Sequence, residues 1–142
     1  HIGVRAEASR AHIAAAREFA REGGYEASAA GARACRRAFL ELPDDVAWKV
    51  IGPHFGLHTR AGCHELFFGA ERPYATIATL AGALDANSLE FWGFENEQAT
   101  VVYRQAFPTD RHGRDLDAWA ALEEATEALF MPTYTFWARK PE

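Results

Sequence analysis

One short segment, residues 54–65, contains most of the side chains that suggest a chemical site. It holds three histidines, one cysteine and one glutamate: His54, His58, His64, Cys63 and Glu65. Each of these types can ligate zinc. The spacing matches no common zinc signature, and neighbouring residues of a helix point about 100° apart. We therefore predict no metal site and interpret the segment as a partly exposed start of a helix.

Cys63 beside His58 or His64 suggests a second chemistry, because a thiol next to a base can become a nucleophile. A reactive thiol needs exposure and a lowered pKa. Cys63 instead precedes Leu66 and Phe67, and this apolar pattern predicts burial. No catalytic residue is predicted.

The same region is our candidate for a small-molecule ligand pocket. Imidazoles, a thiol and aromatic rings would line it: His54, Phe55, His58, Cys63, His64, Phe67 and Tyr74. The alternative, which we favour, is that the aromatic residues form a core between helices, as aromatic rings at helical spacing usually do.

Most of the chain shows helical periodicity with capping signals. Predicted helices run from Ser9 to Glu22, Ser28 to Leu40, Asp44 or Asp45 to Val50, Thr59 to before Pro73, Thr76 to Leu84, Asn96 to Phe107, and Asp115 to Leu129. Three segments predict strands: Ile2 to Val4, Leu89 to Phe94 and Tyr134 to Ala138. The fold class is therefore α+β and mainly helical, with a small three-stranded mixed sheet packed by about six helices.

Aromatic residues dominate the two later strands. We predict that Trp92, Trp119 and Trp137 belong to the core, since large rings supply much of the buried area that a small core needs. On that interpretation, Trp92→Ala should cost about 3 to 5 kcal/mol.

The order of these segments resembles a known enzyme family. The segments are Thr76 to Ala81, Leu89 to Glu95, Tyr103 to Asp110, Asp115-Leu116 with Trp119, and Tyr134 to Lys140, with looser matches at Ile2 to Val4, Ala11 to Glu22, Cys35 to Arg37 and Cys63 to Phe68. Together they resemble the C-terminal part of class I S-adenosylmethionine-dependent methyltransferases, in a bacterial group with a helical insertion. The resemblance covers essentially the whole chain.

That resemblance implies a strand order. Ile2 to Val4 and Leu89 to Phe94 would be parallel, and Tyr134 to Ala138 would lie antiparallel between them. One sheet edge would stay open, and unpaired backbone groups at an edge favour association. We expect a homodimer through this edge.

The family's cofactor signature is missing from these residues. Class I methyltransferases bind the cofactor on a glycine-rich turn after their first strand. Here Gly23-Gly24 follows a predicted helix, and Gly31 lies inside one. We expect no cofactor for this chain alone, and S-adenosylmethionine only if a cofactor-binding half is supplied. Whether the chain belongs to an enzyme is left open.

Length and charge add general limits. The 142 residues are 49% hydrophobic, which predicts one domain over residues 1–142. The net charge of −5 argues against nucleic-acid binding. We interpret the basic residues Arg10, Arg17, Arg21, Arg33, Arg36 and Arg37, and the acidic residues Glu123, Glu124 and Glu127, as solvent-facing. The absence of long apolar runs and of paired cysteine motifs predicts a cytoplasmic location without membrane contact.

Two functions follow as hypotheses. The first is a non-catalytic or incomplete methyltransferase-related protein that acts as a substrate-covering, binding or assembly module. The alternative is a small-ligand binding protein or enzyme that uses the region from His54 to Tyr74.

Overall fold

The structure, a computed structural model, describes residues 1–126 and 128–142. Contacts group these residues into two compact units, one formed by residues 1–8 and 73–142 and the other by residues 9–72. We call them the sheet unit and the helical unit. The prediction of one domain stays a prediction. Glu127, which we predicted to face solvent, lies outside the described residues.

The α+β class is confirmed in the described part of the chain. Its strands are β1 (Ile2–Ala6), β2 (Tyr74–Ala75), β3 (Glu90–Phe94) and β4 (Thr133–Arg139). Its α-helices are α1 (Arg10–Glu22), α2 (Ala29–Glu41), α3 (Arg60–Phe68), α4 (Ile77–Ala86), α5 (Glu97–Ala106) and α6 (Leu116–Ala125). Two 3-10 segments, Glu7–Ser9 and Ala47–Phe55, complete the secondary structure of the described residues. None of these helices has the length and apolar character needed to cross a membrane.

The sheet has the order β2-β1-β4-β3. Strand β4 is antiparallel to both β1 and β3, with Val4 opposite Tyr134 and Phe94 opposite Phe136. The predicted arrangement of these three strands is therefore confirmed. The predicted number of strands is wrong, because β2 pairs in parallel with the end of β1. Two residues between a proline and a helix cap are too short to show a strand pattern.

A β-bulge between Phe91 and Gly93 decides which rings reach the core of the sheet unit. The extra residue lets both Phe91 and Phe94 turn inward, and it leaves Trp92 41% exposed. Gly93 has φ of 145°, a conformation that favours glycine. The prediction that Trp92 is a core residue is therefore wrong.

Strand β4 alternates in the usual way, with Tyr134 and Phe136 buried. Trp137 consequently points outward and is 50% exposed, so its predicted core position is also wrong. Trp119 on α6 is only 1% exposed, and its core position is confirmed. Its ring stacks on that of Tyr103 with the centroids 4.0 Å apart.

Two neighbouring glutamates of α6 differ in their exposure to solvent. Glu124 is exposed as predicted, whereas Glu123 is half-buried and accepts a 2.6 Å hydrogen bond from the Tyr134 hydroxyl. Desolvation raises the pKa of Glu123, although the Tyr134 hydroxyl opposes this effect. The prediction that Glu123 faces solvent is therefore wrong.

In the helical unit, side-chain caps fix where helices begin. Ser28 Oγ accepts from Gly31 N at 3.0 Å, and Thr59 Oγ1 accepts from Gly62 N at 3.0 Å, as the capping signals predict. The predicted third helix is instead the 3-10 segment Ala47–Phe55, which contains Pro53.

In the sheet unit, α6 ends at Ala125 rather than near Leu129, because Thr126 has an extended backbone.

Candidate functional site

The turn before α3 shapes the region that the sequence singled out. Gly56 has φ of 60°, and the Thr59 hydroxyl donates to its carbonyl oxygen at 3.0 Å. A Cβ atom on Gly62 would collide with the carbonyl oxygens of Phe55 and Gly56. The turn therefore packs directly on the first turn of α3, and only glycine fits at the contact.

The seven predicted pocket residues lie in different surroundings. Phe55 and Phe67 are buried in the helical unit, where the Phe67 and Phe39 rings lie 5.7 Å apart. His54 and His64 are exposed. Tyr74 belongs to β2 of the sheet unit, where it pairs with Arg5. Of the seven, His58 and Cys63 line a common cavity.

We call this cavity the arginine pocket. Its volume is about 320 Å³, and His58 and Cys63 share it with three arginines: Arg33, Arg36 and Arg60. No carboxylate lines it; its other walls are Ala29, Ala32, Leu57 and Thr59. Arg33 and Arg60 are exposed at its rim, whereas Arg36 is half-buried.

A second cavity of the helical unit, the apolar groove, has a volume of about 540 Å³. Apolar side chains line most of it: Phe39, Leu40, Val46, Ala47, Val50, Pro53 and Leu57. Leu40 and Val50 are 50% and 43% exposed, so the groove is open to solvent. Leu57 and His58 border both the groove and the arginine pocket.

The two cysteine thiols are buried and free. Burial raises the pKa of Cys63 despite the opposing charge of Arg36, and burial together with Cys63 raises the pKa of Cys35 to about 12. Cys63 Sγ donates to Leu57 O at 3.2 Å. These effects keep both groups as thiols at neutral pH, which disfavours a nucleophilic role.

The sheet unit holds a smaller cleft that the sequence did not indicate. Its volume is about 200 Å³, and Trp92, Trp119, Trp137 and Tyr103 line it together with His112. Trp92 forms its exposed edge. The guanidinium carbons of Arg114 and Arg139 lie 3.8 and 3.9 Å from the Trp92 ring centroid. Both guanidinium groups therefore pack against the Trp92 ring as cation–π partners.

Asp110 fixes the loop beside this cleft. Its carboxylate accepts from the Tyr103 hydroxyl at 2.7 Å and from the backbone N–H groups of His112, Gly113, Arg114 and Asp115. Desolvation raises the pKa of Asp110, but these hydrogen bonds outweigh it and hold the pKa below its ordinary value. The aspartate therefore has a structural role in closing the loop before α6.

No three His, Cys, Asp or Glu side chains in residues 1–126 and 128–142 are grouped in a way that could hold a metal ion. Comparison of the chain with models of protein families finds no match, and comparison with curated proteins finds none either.

Proposed function

We propose that this chain is related to the C-terminal part of class I methyltransferases and is catalytically incomplete alone. The observation that carries the proposal is the strand order. Strand β4, the last in the chain, enters antiparallel between β1 and β3, which run parallel to each other. The resemblance drawn from the sequence implies this same reversal.

The connections after the strands support the second part of the proposal. In the described residues, β1 leads to α1 through Glu7–Ser9, β2 leads to α4 through Thr76, and β3 leads to α5 through Glu95 and Asn96. None of these connections contains glycine. A backbone that must approach a nucleotide-like cofactor closely needs glycine at such a turn. S-adenosylmethionine would then require a cofactor-binding half from elsewhere.

Within this proposal, the chain acts as a substrate-covering, binding or assembly module. Strand β2 pairs only with Arg5 and Ala6, so Ile2 to Val4 have no strand partner on that side within the part of the sheet that the structure describes. An exposed edge of this kind can pair with another copy of the chain. We therefore keep a homodimer through the sheet edge as part of the proposal.

The test incubates the folded chain with radiolabelled S-adenosylmethionine and measures the label retained after filtration. We expect no retention by the chain alone. Retention by the chain would contradict the proposal that it is catalytically incomplete by itself.

A second candidate function is small-ligand binding by the helical unit. The observation that favours it is the pair of cavities that meet at Leu57 and His58. Adjoining apolar and polar surfaces are typical of ligand sites. A screen of small organic molecules by protein-observed NMR tests it, with shifts confined to Leu57, His58 and their neighbours as the expected result. Shifts scattered over the surface, or none, would reject it.

A further inference from the structure

The arginines of the helical unit fall into two groups. Arg17, Arg21 and Arg72 form ion pairs with Glu71, Glu18 and Glu65. Among the described residues, Arg33, Arg36, Arg37 and Arg60 form no ion pair, and three of these four line the arginine pocket. Three guanidinium groups without a carboxylate partner therefore meet at one cavity.

Arg36 is the half-buried member of this group. Its Nε atom is buried without a hydrogen-bond partner, as is that of Arg17, which does not line the pocket. Holding a charged group partly buried without a carboxylate partner is unfavourable. An anion that contacts the Arg36 guanidinium would lower this cost.

The pocket has the composition that an anion needs. Three guanidinium groups can each donate two parallel hydrogen bonds to a carboxylate or phosphate, and His58 adds a fourth polar group. The first turns of α2 and α3 also border the pocket at Ala29 and Arg60, and their free N–H groups add partial positive charge.

The neighbouring apolar groove indicates the chemistry of the rest of the ligand. Lys49, the cation that lines the groove, already donates to Asp44 Oδ1 at 2.8 Å and to backbone carbonyls. The groove therefore offers mainly hydrocarbon surface, and it begins at the Leu57 and His58 wall of the arginine pocket.

We propose that the helical unit binds a small amphiphilic anion, a carboxylate or phosphate monoester whose apolar body lies in the groove and whose head lies among Arg33, Arg36 and Arg60. This proposal rests on the second candidate function and names its ligand class. It does not depend on the relationship to methyltransferases.

Calorimetric titration of the 142-residue chain tests the proposal with three probes of equal chain length: octyl phosphate, octanoate and 1-octanol. We expect at least one anion to bind about tenfold or more tightly than the alcohol, as charge-assisted hydrogen bonds predict. The stronger anion identifies the head group as phosphate or carboxylate. Inorganic phosphate, which lacks the apolar body, should bind more weakly than octyl phosphate.

Variants locate the head group. Arg33 and Arg60 are exposed, so the double variant Arg33→Gln, Arg60→Gln should fold and lose the preference for anions. Arg36→Gln should lose it as well, with its circular dichroism compared with that of the parent chain. Arg37→Gln is the matched control, because Arg37 is exposed on the same helix and does not line the pocket.

Three results would overturn the proposal. If octanol binds as tightly as the anions, the helical unit binds ligands but the anion class is wrong. If no probe binds, both the ligand class and the second candidate function fail. Equal losses in the Arg37 variant and in the double variant would show that general charge, rather than the pocket, attracts the anion.

Discussion

Two tryptophans that look equivalent in the sequence should differ sharply in their contribution to stability. Trp119 is 1% exposed, and its ring packs against Tyr103 and Phe94 with centroids 4.0 and 5.0 Å away. Its Nε1 atom donates to Gly113 O at 2.8 Å. Trp119→Ala opens a cavity in the core, and such truncations cost about 3 to 5 kcal/mol. Loss of the hydrogen bond adds about 1 kcal/mol.

Trp92→Ala is the comparison. The Trp92 ring is 41% exposed, so its removal leaves no enclosed cavity. The main loss is the contact with the two guanidinium groups, and each such contact at an exposed site contributes about 0.5 to 1 kcal/mol. We expect a total cost of about 1 to 2 kcal/mol, in place of the 3 to 5 kcal/mol that a core position would imply.

The assay is urea unfolding of the parent chain and the two variants, followed by far-ultraviolet circular dichroism. The free energy of unfolding and its dependence on urea are compared at one pH and temperature. Equal losses for the two variants would refute the assignment of faces on β3. A loss below about 1 kcal/mol for Trp119→Ala, the range of surface substitutions, would refute the described core of the sheet unit.

Three further predictions concern the loop, the turn and the thiols. The pKa of Asp110 is lower in the folded state, so its carboxylate stabilises the fold above its unfolded pKa of about 4, and this contribution disappears as pH falls through the folded pKa. Asp110→Asn should therefore cost about 1 to 3 kcal/mol at pH 7 and much less at pH 3, as measured by urea unfolding; an equal cost at both pH values would contradict this. Gly62→Ala should cost more than about 2 kcal/mol in the same assay, because its Cβ atom meets the Phe55 carbonyl, and a neutral effect would exclude the described turn. Cys35 and Cys63 should react slowly with a thiol reagent at pH 8 until urea is added, and fast reaction of the folded chain would contradict their burial.

Local chemistry explains what the sequence predicted well. Ser28, Thr59, Thr76 and Asn96 all cap helices as expected, because a cap depends on a side chain and the backbone three residues later. Ser9 is different: it precedes α1 in a helical conformation, and its side chain makes no cap hydrogen bond. Ser9 is the last residue of the 3-10 segment Glu7–Ser9, so the chain is already in a helical conformation where α1 begins.

The order of the three longer strands came from a resemblance, and it agrees with the structure. Their side-chain faces could not be predicted, because a single bulge residue exchanges inward and outward positions on β3. No local pattern marks that bulge beyond one glycine. The two-residue strand β2 was missed for a related reason, since its pairing with Arg5 depends on chain segments nearly seventy residues apart.

The candidate site could also be predicted only in part, because its residues come from separate helices. The sequence predicted a pocket from seven residues of the region from His54 to Tyr74, and of these seven His58 and Cys63 line a common cavity. The arginines that complete this cavity come from α2 and from the start of α3, and on α2 alone they look like an ordinary solvated face. Their grouping depends on how the two helices pack, which spacing along one helix does not reveal.

We propose one decisive experiment on the relationship to methyltransferases and the lack of a cofactor site in this chain: calorimetric titration with S-adenosylhomocysteine. The solution mass is determined on the same sample. We expect no saturable heat at millimolar ligand from a folded chain with the mass of a dimer. Saturable binding at micromolar concentration would contradict it, because the chain would then hold the cofactor without a glycine-rich turn.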